Sequence, residues 1–146
     1  MAYAHVAHDC IVGDDNVFAN NAGIAGHVTV GNNVTIGAFT TIHQFCQIGD
    51  FSFAGMNSSI TMDVPAYIKV ASNPARVIGL NSVGMERGGI DQEIITILKK
   101  GYKTVYRKGL NLRDAIKKLE SMSSSDVKEI QNFINSLKSS ERGILR

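Results

Sequence analysis

Four histidines, His5, His8, His27 and His43, are the side chains best suited to chemistry in this 146-residue chain. An imidazole titrates at about 6.5, so its neutral ring can take a proton from a hydroxyl. Three imidazoles around one point can instead hold zinc, with water in the fourth position. His8 and His27 are 19 residues apart, His5 precedes His8 by three, and His43 follows His27 by 16. Asp9 adjoins His8 and can either orient an imidazole or close a turn. In Gly23-Ile24-Ala25-Gly26-His27, bare backbone N–H groups lie beside the histidines. One of these could hold the oxyanion of a tetrahedral intermediate; as plain corner glycines they would serve only the backbone. Farther along, Asn81 offers an amide that can read a base edge, and Arg87 a fork that can grip phosphate.

Histidines so spaced meet only on a scaffold that repeats at nearly the same interval. The sequence supplies one. From Val6 to Pro65 it divides into ten hexads without an insertion. The first position reads Val6, Val12, Phe18, Ile24, Val30, Ile36, Ile42, Ile48, Ala54 and Ile60, large and apolar in all but one. The second is usually Gly or Ala, and the fifth is small or β-branched except at Asn16. A period of six fits neither a helix nor a long alternating strand. It fits a short strand and a tight corner, repeated, with Gly, Asn and Asp accepting the turn dihedrals. Three hexads close one triangular coil, which predicts a left-handed parallel β-helix over 1–65. On that scaffold His8 and His27 fall on adjacent coils at nearly the same corner, about 4.8 Å apart. His43 is expected close to the next coil at that corner or just around it. Because the repeat is in register from Val6, its open end is expected to continue in a longer chain or to be covered. Solenoids of this kind are expected to associate side by side as trimers.

Residues 66–90 read as a Gly- and Asn-rich connection. Residues 91–146 read as a small helical domain. Asp91 caps a helix bearing Ile94, Ile95, Leu98, Tyr102, Val105 and Tyr106, which ends at Gly109. Asn111 caps a second helix, and Ser123-Ser124-Ser125-Asp126 starts a third.

Charge divides along the same line. Residues 1–65 hold five acids (Asp9, Asp14, Asp15, Asp50, Asp63) and no Lys or Arg, giving −5. The remainder holds all 15 basic residues and eight acids, giving +7. The basic half suits an acidic partner, or is simply a solvated helical face. No apolar run approaches the roughly 20 residues of a membrane helix. The N-terminus has no basic region and no apolar region of a signal peptide. Cys10 and Cys46 are too few for a disulfide framework or a Cys-rich zinc site and occupy small inward positions, so a reduced, cytoplasmic setting is expected.

The residues also carry a resemblance. Ala4-His5-Val6-Ala7-His8-Asp9-Cys10, Asn20-Asn21-Ala22, Ala25-Gly26-His27-Val28, Ile42-His43-Gln44-Phe45-Cys46 and Asp63-Val64-Pro65 strongly resemble the bacterial UDP-N-acetylglucosamine 3-O-acyltransferases of lipid A synthesis. The likeness continues through Gly79-Leu80-Asn81, Arg87, Tyr102-Lys103, Tyr106-Arg107 and the final Ser140-Glu141-Arg142-Gly143-Ile144-Leu145-Arg146, and it matches the C-terminal half of that longer family chain. It implies that His8 is the general base acting on the glucosamine 3-hydroxyl, with Asp9 beside it. It also implies that the Gly26 N–H holds the oxyanion of a hydroxyacyl thioester on acyl carrier protein. His5 and His27 would position the sugar and its phosphates. His43, Gln44 and Asn81 would contact the nucleotide, and Arg87 a phosphate. The carrier protein would dock on the basic helices of a homotrimer, with no metal, cofactor, nucleic acid or membrane span involved. Three positions depart from the family pattern. Val83 replaces an acid, Gly88 replaces a second arginine, and Met56 stands where some members have Gly and a longer acyl groove, implying a ruler for shorter chains. Two other readings compete: a trimeric zinc enzyme resembling the γ-type carbonic anhydrases, and a non-catalytic remnant.

Overall fold

The computed structural model describes residues 1–146. Ten short strands recur at the hexad interval: β1 His5–Val6, β2 Ile11–Val12, β3 Val17–Phe18, β4 Gly23–Ile24, β5 Thr29–Val30, β6 Thr35–Ile36, β7 Thr41–Ile42, β8 Gln47–Ile48, β9 Phe53–Ala54 and β10 Ser59–Ile60. They are followed by β11 Ile68–Ala71 and β12 Arg76–Leu80. Three parallel faces result. The first is β1-β4-β7-β10, the second β2-β5-β8, and the third β3-β6-β9-β11, with β12 antiparallel at its edge. Within the hexads each strand pairs with the third strand after it, as in His5↔Gly23 and Gly23↔Thr41. This is the expected left-handed solenoid.

The hexad shows why the chain turns as it does. One residue per hexad, from Tyr3 through Asp9, Asp15, Asn21, His27, Asn33, Phe39, Phe45 and Phe51 to Asn57, adopts left-handed backbone with φ of 57–66°. Half of these are Asn or Asp, which tolerate that conformation best among non-glycine residues. The first-position residues from Ile24 to Ile60 point inward and stack. The fifth-position side chains close the corner. Asn16, the misfit of the repeat, donates to the Gly31 carbonyl at 2.8 Å and accepts from the Val34 N–H at 2.7 Å. Thr40 repeats the pattern with the Gly55 carbonyl and the Ser58 N–H. In the first coil Val6 and Val12 are half exposed, whereas Ile24 and Val30 above them are buried.

The last coil departs from the hexad count. Ile48 bridges Val64, and Ala54 pairs with Val70, each two positions short of the three-hexad spacing. Val64 therefore stacks as an inward aliphatic and is not the corner residue that strict periodicity makes it. The solenoid continues through β11, so residues 66–90 are more than a connection. The β11–β12 hairpin covers the last sheet edge, and α1 (Ser82–Arg87) follows, capped by Asn81.

The helices α2 (Gln92–Tyr106), α3 (Leu112–Glu120) and α4 (Lys128–Lys138) pack around Ile95, Leu98, Leu119, Phe133 and Ile134. Asp91 precedes α2 without a side-chain capping bond, and Asn111 caps α3 through the Asp114 N–H. The third stripe becomes helical only at Lys128, after a turn at the serines. The helical domain docks on the coil through Asn132, which donates to Asp50 and to the Tyr67 hydroxyl. The final residues return to the solenoid, where Asp63 bridges Ile144 and accepts from the Ser140 hydroxyl at 2.6 Å. No helix is long and apolar enough to cross a membrane.

Candidate active site

The corner between the first and second faces carries the histidines. Residues 8, 26 and 44 occupy one corner position on successive coils, and 9, 27 and 45 occupy the next. Asp9, His27 and Phe45 are all left-handed, with φ of 57°, 61° and 66°. The His8 and His27 rings meet edge to face, with centroids 5.2 Å apart. His27 also stacks on Phe45, at 4.8 Å and 13°. Asp9 Oδ2 lies 2.9 Å from His8 Nδ1 and 3.8 Å from His27 Nε2. The hydrogen bond from His8, and then the charge of His27, hold the exposed Asp9 carboxyl below its ordinary range. An ionised Asp9 accepts the proton on Nδ1, which leaves a lone pair on Nε2 of His8.

Gly26 lies directly beneath that ring. A Cβ at Gly26 would stand 2.5 Å from Cε1 and 2.6 Å from Nε2 of His8, so any side chain there would turn that ring out of its present place. The Gly26 N–H donates to no protein acceptor. The next corner explains this. There the Asp14 N–H donates to Asn32 Oδ1 at 2.7 Å, and the Asn32 N–H donates to Asp50 Oδ1 at 2.8 Å. At that corner the N–H groups of residues 14 and 32 are each capped by a side chain one coil on. At the histidine corner Gly26 has no side chain to cap His8, and Gln44 makes no bond to Gly26. A basic nitrogen and a free backbone donor thus stand side by side at an exposed corner.

The other candidates lie apart from this pair. His5 sits on the first face, in register with Gly23. His43 places Nδ1 3.0 Å from the Gln44 carbonyl. Neither joins the cluster of His8, Asp9 and His27. The expected alignment of three histidines is realised for two, because His43 aligns with Ala25, two positions before His27. Within one chain, then, two imidazoles and a carboxylate converge, not three imidazoles.

Asn81 and Arg87 belong to a groove of about 460 Å³ against the third face, shared with Phe51, Phe53, Lys69 and Val83. The buried Asn81 side chain donates to the Phe51 carbonyl at 2.7 Å and accepts from the Gly84 N–H. Arg87 is exposed and has no acidic partner. A Cβ at Gly88 would meet Phe51 Cε1 at 2.5 Å, so any side chain there would have to displace that ring. Met56 is 71% exposed at the corner between the third and first faces. Two residues escaped the reading of the sequence by itself. Phe45 is one, although its place three hexads after His27 was a usable signal. Lys69 is the other; the contracted coil sets it beside Phe53, with Nζ 5.4 Å from the ring centroid.

The second-domain model of UDP-N-acetylglucosamine O-acyltransferase matches residues 63–145. An acyl-[acyl-carrier-protein]–UDP-N-acetylglucosamine O-acyltransferase of Pseudomonas syringae pv. tomato is 42% identical over 146 residues, covering 100% of this chain and 56% of that protein. The corresponding protein of Halorhodospira halophila is 44% identical over the same span. The crystal structure of UDP-N-acetylglucosamine O-acyltransferase from Moraxella catarrhalis superposes with a TM-score of 0.94 at 45% identity, over 98% of this chain and 55% of that one. The Acinetobacter baumannii structure gives 0.93 at 47%, also over 98% and 55%. The chain spans about half the length of the relatives it matches. With the family model covering more than half of the chain and the same solenoid and helices found in these relatives, the chain belongs to the UDP-N-acetylglucosamine O-acyltransferase family.

Proposed function

We propose that the chain transfers a hydroxyacyl group from acyl carrier protein to the 3-hydroxyl of UDP-N-acetylglucosamine, the first step of lipid A synthesis. The observation that supports this most directly is the His8 Nε2 lone pair beside the free Gly26 N–H. Nε2 takes the hydroxyl proton as the sugar oxygen bonds to the thioester carbon. The carbonyl electrons move to oxygen, and the Gly26 N–H donates to the charge that develops there. The tetrahedral intermediate then expels the carrier thiolate, which takes the proton back from His8. Asp9 holds the ring and stabilises its charged form. His5, His27, His43 and Gln44 surround the sugar and nucleotide.

Arg87 and Lys69 present two cations to phosphate in the groove on the third face. Asn81 fixes the start of α1 and keeps one amide hydrogen for the nucleotide. That groove and the histidine corner lie on different faces of one chain. The reading therefore calls for a neighbouring copy to supply one of them, as in a homotrimer. The acidic carrier docks on exposed Lys99, Lys100 and Lys103 of α2 and on Arg107 just after it, in a cytoplasmic setting. Met56 shortens the acyl groove.

The test is an acyl-transfer assay on this chain. His8→Ala is expected to lower kcat by about 10²–10⁴-fold, the usual contribution of a positioned base. Equal silence of both chains would favour the remnant reading.

A further inference from the structure

We propose that His8, Asp9 and His27 form a binding site for a zinc-class divalent ion that switches the site off. The inference deepens the acyl-transfer reading in assigning an inhibitor to the same three residues, and only its inhibitory part rests on that reading.

The geometry is specific. One donor atom from each residue lies within 4.8 Å of the other two. His8 Nδ1 and Asp9 Oδ2 are 2.9 Å apart, and Asp9 Oδ2 and His27 Nε2 are 3.8 Å apart. Donors placed about 2.0–2.1 Å from a tetrahedral zinc are about 3.4 Å from one another. The two observed separations bracket that edge. Two imidazoles and one carboxylate are a donor set that zinc accepts, with the fourth position left to water. All three side chains are exposed enough to close on an ion without disturbing the coil. The left-handed backbone of Asp9 and His27 points both toward the same corner on adjacent coils. The acids nearest in sequence, Asp14 and Asp15, belong to the next corner and do not complete the set.

The consequence follows from the tautomer. Without metal, Nδ1 of His8 carries the proton given to Asp9, and Nε2 is free. An ion on Nδ1 displaces that proton, and a neutral ring then carries its single proton on Nε2. The ion exchanges bound waters for the three side chains, and the Nδ1–H bond is exchanged through solvent for an Nε2–H bond. Nε2 faces Gly26 as an N–H donor and can no longer accept the hydroxyl proton. Zinc thus blocks the base from behind, without filling the space in front of it.

Calorimetry with zinc chloride alone, and cobalt chloride followed by its visible absorption, test the site on the intact chain. One saturable ion per chain with a tetrahedral cobalt spectrum is expected. Asp9→Asn and His27→Asn suit the left-handed positions and keep the fold. Each is expected to weaken binding by at least about tenfold, whereas His43→Gln leaves it unchanged. Magnesium, which prefers octahedral oxygen ligands, is expected not to compete. Binding that survives both Asn substitutions, or the absence of saturable binding, overturns the site. In the acyl-transfer assay zinc is expected to abolish turnover and a chelator to restore it. A chain that binds zinc at these residues but transfers no acyl group retains the site and loses the acyltransferase reading. A chain that transfers acyl groups equally well with zinc bound loses the inhibitory claim.

Discussion

At His8 the two ring nitrogens face different neighbours, and the difference assigns their tasks. Nδ1 is held by Asp9 and Nε2 lies over Gly26. Because the His8 hydrogen bond is the main influence lowering the Asp9 pKa, that carboxylate stays ionised below its usual value of 3.8. A depressed carboxylate favours the folded form above its unfolded pKa, and this is lost as pH falls through the folded value. Carbon NMR of the Asp9 carboxyl should give a midpoint below 3.8, rising toward it in His8→Ala; an unchanged midpoint would mean that the contact does not persist in solution. Met56 also acts at this scale. Met56→Gly is expected to shift the preferred acyl chain toward greater length in a competition between carrier substrates, and an unshifted preference would leave Met56 as surface packing alone.

The corners work as elements, and two of their glycines make the point. At Gly26 an added Cβ would strike the free end of the His8 ring, whereas at Gly49 it would lie 2.3 Å from the Ala66 backbone nitrogen. The first clash is relieved by turning a side chain, and the second only by moving a coil. Gly26→Ala should therefore lower kcat with little change in melting temperature. Gly49→Ala should destabilise by about 1–3 kcal/mol, as overpacking does. Thermal melts and acyl-transfer rates of the two variants separate the cases, and equal melting temperatures would contradict this account. The same logic explains Asn16, whose amide takes over corner bonds that the backbone of the coil leaves unmade.

Across the whole molecule, helices and solenoid are joined through buried polar contacts, and these set the response to alkali. Burial pushes the Tyr67 phenol up to about 12 and the Cys46 thiol up to about 11, and it also raises Tyr106. An unfolded tyrosine ionises at about 10, so the unfolded chain releases protons first. The unfolded thiol ionises lower still, at about 9, so stability is full below pH ~9 and falls as pH rises toward ~12. Urea midpoints should decline over that range, and the Tyr67 phenolate absorbance, isolated as the difference from a Tyr67→Phe chain, should appear only with unfolding; its early appearance in the folded chain would contradict this. Assembly has its own test. Chains carrying His8→Ala and Arg87→Ala, each inactive alone, should regain activity when refolded together. About one quarter of all interfaces in trimers assorted at random from an equal mixture would then hold both native residues. No recovery would mean that one chain supplies the whole site.

Much of this protein was legible in its order of residues. A period of six is local physics: every aliphatic needs the same neighbour one coil away, so the repeat declares the solenoid, and an offset one position longer than a coil brings His8 to His27. Asn111 announced its helix in the same way, through a cap that acts within one turn. Other features depend on which coil lies above which. The contraction of the last coil at Val64 and Val70 follows from long-range pairing with Ile48 and Ala54, and it alone sets Lys69 beside Phe53. Likewise His43, near in number to His27, turns away because two positions of register on a tight corner separate neighbouring directions. Short-range spacing declared the coil and its histidine corner, whereas contacts between coils decided which nitrogen is held, which N–H is free and which groups stand on separate faces.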